Sequence, residues 1–160
     1  MDQSDELSLW LANAWLRASG DSIQSLVVED LQEQIEQGKS MTDGLSSLMT
    51  SQRQAGDFGM EIAGTLLAPV LVELLKDFWS GYLKKVGESA GGAVAEATTK
   101  RVKDWFLSIL HSKEDDKVLA DLRRKVDRLA AQKKLTRKEA ARLLEALHGP
   151  KLAQELSEKK

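Results

Sequence analysis

The stretch IAGTLLAPVLVELLKDFWSGYL, residues 62–83, decides the fold that we expect for this chain. It is long enough to cross a bilayer, yet Glu73, Lys76 and Asp77 lie in its middle. On a helix these three charges share one narrow face, because residues three and four apart are neighbours. The remaining circumference is largely apolar. Such a helix fits either the buried centre of a soluble bundle or a membrane-entering segment that its partners shelter in water.

Helix start and stop signals surround this stretch. Asp57 can cap a helix over residues 58–86, in which Pro69 predicts a kink or a restart. On the N-terminal side, Ser4 and Asp21 are the expected N-caps of two earlier helices. The apolar set that we expect on the inner face of the second of these is Ile23, Leu26, Val27, Leu31 and Ile35. With two prolines in 160 residues and few aromatic residues, the composition favours helices throughout.

The C-terminal third predicts a helical hairpin. Leu119, Leu122, Val126 and Leu129 recur at intervals of three and four residues, as one arm would require. Thr136 and Glu139 form a capping box for the second arm, which the Gly-Pro pair at 149–150 would end. The spacing lasts under two heptads, so we expect the arms to pack on each other rather than form a coiled-coil dimer.

This hairpin resembles the short C-terminal helical modules of bacterial proteins called SHOCT domains. The matching residues are Leu122, Leu129, Leu135, Thr136, Glu139, Leu143 and Leu144. The resemblance covers about a sixth of the chain and implies a role in oligomerisation. Lys134 and Ala140 depart from the pattern, since a glycine and an aromatic residue are usual at these two positions.

Together these patterns predict an all-α protein, a multi-helix bundle around a long apolar central helix with a basic C-terminal hairpin. We expect a bundle over residues 1–111, the hairpin over 112–149 and a polar tail over 150–160. The chain has no cysteine, and its N-terminus lacks the basic start and apolar run of a secretion signal. We therefore expect a cytoplasmic protein, peripheral to a membrane when activated.

The net charge of −2 conceals a division along the chain. Residues 1–57 carry ten acidic against three basic side chains, and residues 100–160 carry ten acidic against seventeen basic ones. An acidic front of −7 therefore precedes a basic back of +7. Such asymmetry fits docking within one fold, head-to-tail association between copies, or a basic surface for an acidic partner.

Residues for catalysis are poorly represented. His111 and His148 each fall at the expected C-terminal end of a helix, where the helix dipole favours an imidazolium. No nucleotide-binding, zinc-protease or nucleophile-elbow motif is present in the sequence, and the carboxylates fall on expected exposed faces. We expect no enzymatic activity, no catalytic residue, no cofactor and no metal site.

Two sets of side chains are candidates for contact with a partner or a membrane. The apolar set on the central helix is Leu67, Val70, Leu71, Leu74, Phe78 and Trp79. The basic set on the hairpin is Arg123, Arg124, Lys125, Arg128, Lys133, Lys134, Arg137 and Lys138. Basic residues attract acidic protein surfaces, anionic lipid and nucleic acid alike. We rank a protein partner or a second copy first, an anionic membrane surface second and nucleic acid third, because the run lacks aromatic residues for base stacking.

Two functions follow from these patterns. The first is a non-enzymatic interaction or oligomerisation protein of the adaptor kind, with the hairpin as its docking element. The alternative is a membrane-active effector of a toxin or defence system, pore-forming or membrane-disrupting, that stores the apolar helix in a soluble form.

Overall fold

The computed structural model describes residues 3–47, 67–89, 99–111, 117–132 and 135–158, and every regular element in these ranges is an α-helix. The predicted all-α class is confirmed. The helices are α1 Gln3–Ala18, α2 Ser22–Glu36, α3 over residues 41–47, α4 Leu67–Ser89, α5 Thr99–His111, α6 Lys117–Ala131, α7 Arg137–His148 and α8 Pro150–Glu158.

Helix α1 is buried around most of its circumference and packs against α2, α4, α5, α7 and α8. Its buried side chains are Ser4, Leu7, Ser8, Leu9, Leu11, Ala12, Asn13, Ala14, Trp15, Leu16 and Ala18. Ser8 satisfies its hydroxyl locally by donating to the carbonyl of Ser4 at 2.6 Å. Ser4 lies inside the helix, so the prediction that it is the N-cap was wrong.

The turn from α1 to α2 follows the predicted capping. The Asp21 side chain accepts a hydrogen bond from the backbone N–H of Gln24, as an N-cap does. Gly20 before it has a φ of +88°, a conformation that favours glycine. The two helices are also joined by Glu29, which pairs with Arg17 and accepts from Asn13 Nδ2 at 3.4 Å.

Helix α4 covers residues 67–86 of the segment that was predicted as the central helix. It runs past Gly87 to Ser89, beyond the predicted end at residue 86, while residues 58–66 lie outside the described ranges. Pro69 is its third described residue, and the N–H of Ala68 donates to Gln24 Oε1 of α2 at 3.0 Å. A side chain from α2 therefore satisfies an amide beside the proline, where the helix ladder is weakest.

An aromatic cluster connects α1, α4 and α5. Phe106 meets Trp79 edge to face at a centroid distance of 5.7 Å and meets Trp10 at 6.3 Å. Phe78 lies against Trp79 at 4.9 Å. Such pairs add to the free energy gained by burying the rings. Trp79 and Phe106 are completely buried, so the cluster is part of the core.

The hairpin of α6 and α7 is closed by the predicted capping box. Thr136 Oγ1 accepts from the N–H of Glu139, and the Glu139 carboxylate accepts from the N–H of Thr136. The two arms pack on each other. The hairpin is also attached to the rest of the fold, because Trp15 Nε1 donates to the carbonyl oxygen of Leu143 at 2.8 Å.

The end of the chain differs from the expected polar tail over 150–160. Helix α8 occupies residues 150–158 and packs on α1, α5 and α7, with Leu152, Ala153 and Leu156 buried. Leu156 is four residues from Leu152 and three residues from Ala153, so the three side chains lie on the same side of the helix. A Pro at the first helical position starts the helix, since its missing N–H would have no helical partner there.

Candidate interaction surfaces

The six apolar candidates on α4 are inside the protein. Leu67, Val70, Leu71, Leu74, Phe78 and Trp79 are all buried. Their interaction partners in this conformation are the other helices, chiefly α1 and α2 together with the rings of α5. They form part of the core and present no surface to a partner here.

The three charges in the middle of α4 are at the surface, and two of them join α4 to other helices. Lys125 Nζ of α6 donates to Asp77 Oδ2 at 2.8 Å, and Lys76 Nζ lies 3.9 Å from Asp5 Oδ1 of α1. Glu73 is exposed. The ionic edge formed by these three residues therefore lies at the boundary of the fold and outside its apolar core.

The basic candidates divide between exposed and half-buried positions. Arg124, Arg128, Arg137 and Lys138 are exposed, and we call these four side chains the basic surface. Arg123 and Lys125 are half-buried, and Lys125 pairs with Asp77. Lys133 and Lys134 lie outside the described residues. Each arm of the hairpin therefore contributes two exposed positive side chains to the basic surface.

Helix α2 has two exposed apolar side chains, Ile23 and Leu26, that we expected on its inner face. Ile23 is 73% exposed and Leu26 is 60% exposed, whereas Val28 and Leu31 are buried. The helix is therefore rotated relative to our expectation. Ser25, Val28, Leu31 and the half-buried Ile35 form the inner stripe, at intervals of three and four residues.

The exposed stripe of α2 consists of Ile23, Leu26, Asp30 and Glu33, and we call it the α2 stripe. Its members also recur at intervals of three and four residues. A signal for its exposure was available, since extending the spacing of Ile23 and Leu26 reaches two carboxylates, which rarely face a core. The inner stripe carries no charge.

Three other kinds of site are relevant to the described residues: a groove, a metal site and a membrane-spanning helix. A groove between α1, α5 and α8 contains Trp10, with Lys103 Nζ 5.3 Å from the centroid of its ring. Within the described ranges, no three His, Asp or Glu side chains cluster as metal ligands would. In the same ranges, we found no helix with the length and apolar character needed to span a membrane.

No protein-family model, curated protein or solved structure matches this chain.

Proposed function

We propose that this protein is a non-enzymatic, adaptor-like protein that associates with a second copy through the basic surface of its α6–α7 hairpin. The observation that carries the proposal is the exposure of Arg124, Arg128, Arg137 and Lys138 on one hairpin. A cytoplasmic location belongs to the same proposal.

Rigid attachment of the hairpin supports this function. The Trp15–Leu143 hydrogen bond and the Lys125–Asp77 ion pair join α7 and α6 to different helices of the core. A surface held by a rigid scaffold loses less conformational entropy on binding than a flexible arm does. These two contacts limit the freedom of the hairpin relative to the core, which lowers the entropy cost of binding a protein partner.

The composition of the hairpin favours a protein partner over lipid or nucleic acid. Asp127 is exposed between Arg124 and Arg128, so the charge pattern is mixed rather than uniformly positive. Neither α6 nor α7 contains Phe, Tyr or Trp, which would stack on bases or anchor at a membrane interface. A partner with its own pattern of acidic and apolar groups fits these features best.

The resting state that we propose is a helical bundle whose apolar centre is formed by α1 and the long helix α4. A membrane-active effector would also need the apolar residues of α4 to be buried before it is activated. Release of dye from vesicles of anionic phospholipid distinguishes the two functions. The adaptor function predicts no release, and release by the unmodified chain would favour the effector.

Reversal of the basic surface tests the proposal. We expect the unmodified protein to self-associate over about 1 to 100 µM, and Arg124→Glu with Arg128→Glu to weaken this association by roughly 10- to 100-fold. The measurement is sedimentation velocity at several concentrations. Raising the ionic strength from about 0.05 to 0.5 M should also weaken the self-association of the unmodified protein, because salt screens exposed charges.

The matched control is Lys100→Glu with Lys151→Glu, which changes the net charge equally at exposed positions outside the hairpin. Thermal unfolding followed by circular dichroism verifies that each variant is folded. A monomer at all concentrations, or equal weakening by the control pair, would contradict the proposal.

A further inference from the structure

Resting on the function proposed above, we infer that the α2 stripe is the surface that receives the basic surface of a second copy, so that copies associate head to tail. The stripe is the place in the described structure where large apolar side chains are most exposed, at 73% for Ile23 and 60% for Leu26. When a partner covers two adjacent exposed apolar side chains, the loss of their contact with water favours binding.

The geometry of the stripe fits a helix laid along another helix. Ile23, Leu26, Asp30 and Glu33 repeat at three, four and three residues, which is the spacing of a seam between two packed helices. At about 1.5 Å per residue the four positions span roughly 15 Å. Arg124 and Arg128 on α6 are four residues apart and share one face in the same way.

Charge complementarity identifies the occupant. Asp30 and Glu33 of one copy would meet exposed arginines of another, while the stem of the arginine that meets Asp30 would cover Leu26, one turn away. Pairing of two α2 stripes would place carboxylates beside carboxylates. An anionic membrane would be repelled by the same carboxylates, since helices that lie on such membranes flank their apolar residues with Lys or Arg.

The symmetry of the assembly follows from this pairing. Two different surfaces of the chain meet, so the contact is heterologous: in a pair of copies, one copy keeps a free α2 stripe and the other keeps a free basic surface. Such contacts continue into a closed ring or an open chain of copies. One short helix on one hairpin buries less than about 1,200 Å², which is typical of transient contacts, so the sedimentation coefficient should rise gradually with concentration.

A charge-swap experiment tests this inference. The first variant carries Asp30→Lys and Glu33→Lys, and the second carries Arg124→Glu and Arg128→Glu. We expect each variant alone to associate roughly 10- to 100-fold more weakly than the unmodified chain, because like charges then meet. We expect a mixture of the two, and a single chain with all four substitutions, to associate within roughly tenfold of the unmodified chain, because opposite charges meet again.

Two further variants sharpen the test. Ile23→Ser with Leu26→Ser removes the apolar anchor without changing charge and should weaken association by roughly 10-fold or more. Glu6→Lys with Asp104→Lys is the matched control, since it makes the same change in net charge at exposed positions outside α2. This control should associate like the unmodified chain.

The outcomes separate the inference from the proposed function. If the α2 variants associate normally while the hairpin variant does not, the inference is overturned and the proposed function stands. If the α2 variants lose association while the hairpin variant keeps it, both are overturned in favour of α2 pairing with itself. Loss in both single variants without recovery in the mixture overturns the head-to-tail contact. Binding of the unmodified chain to anionic vesicles or duplex DNA without self-association overturns both.

Discussion

Trp15→Ala is expected to lower the free energy of unfolding by about 3 to 5 kcal/mol, a large part of the stability of a domain of this size. Trp15 is completely buried in α1, and its indole N–H donates to the carbonyl of Leu143 in α7 at 2.8 Å. The substitution removes the apolar contacts of the ring together with the bond between the first helix and the hairpin. Urea unfolding followed by circular dichroism measures the effect.

Trp15→Phe separates the two contributions. Phenylalanine retains much of the buried apolar surface but cannot donate to Leu143, so we expect a smaller loss of about 1 to 3 kcal/mol. Hydrogen exchange of the α7 amides should increase in both variants, because α7 loses an attachment to α1. A loss below about 1 kcal/mol for Trp15→Ala would show that Trp15 is not in the core described here.

Leu71→Lys is expected to prevent stable folding, whereas Glu73→Lys, two residues away on the same helix, should change stability by less than about 0.5 kcal/mol. Leu71 is 1% exposed, so the new ammonium group would be buried without a partner at a cost of several kcal/mol. Glu73 is exposed, so lysine there remains in water. Urea unfolding of the two variants measures the difference, with the unmodified chain as reference.

The difference in stability between these two variants depends on which face of α4 is buried. Equal stability of the two variants would contradict the burial of the apolar residues of α4. The result also determines how the membrane-active alternative can be tested, because a lysine at Leu71 would abolish activity simply by unfolding the protein. Lysine substitutions for that purpose belong at exposed positions.

Local features of the fold were predictable from the sequence. The capping box of Thr136 and Glu139 and the N-cap at Asp21 depend on side chains that bond to backbone groups within three residues. Helical periodicity likewise reports on the chain itself. These two caps do not depend on what the helix packs against, and both are present in the structure, whereas the N-cap expected at Ser4 is not, since Ser4 lies inside α1.

Features that depend on packing were predicted less well. Both stripes of α2 contain apolar residues, so the sequence alone does not say which one is buried. The orientation of α2 depends on its packing against α1 and α4. The burial of Ser8 and Asn13 in α1 follows from the position of α1 among other helices, since polar residues predict a solvent-exposed face. Six of the eight basic candidates lie on α6 or α7, and Lys133 and Lys134 lie outside the described residues. The exposure of each of the six depends on the contacts made by α6 and α7.

The fold and the proposed association both depend on which apolar side chains are inside the protein and which are outside. Because the chain has no cysteine, single-cysteine variants at Leu71, Glu73, Leu26 and Leu31 can each be labelled with a maleimide at one position. The labelling is done on dilute native protein, below the concentration at which copies associate. The expected result is that Glu73→Cys and Leu26→Cys react like a free thiol, and that Leu71→Cys and Leu31→Cys react roughly 100-fold more slowly. Equal rates at Leu71 and Glu73, or protection at Leu26, would contradict it.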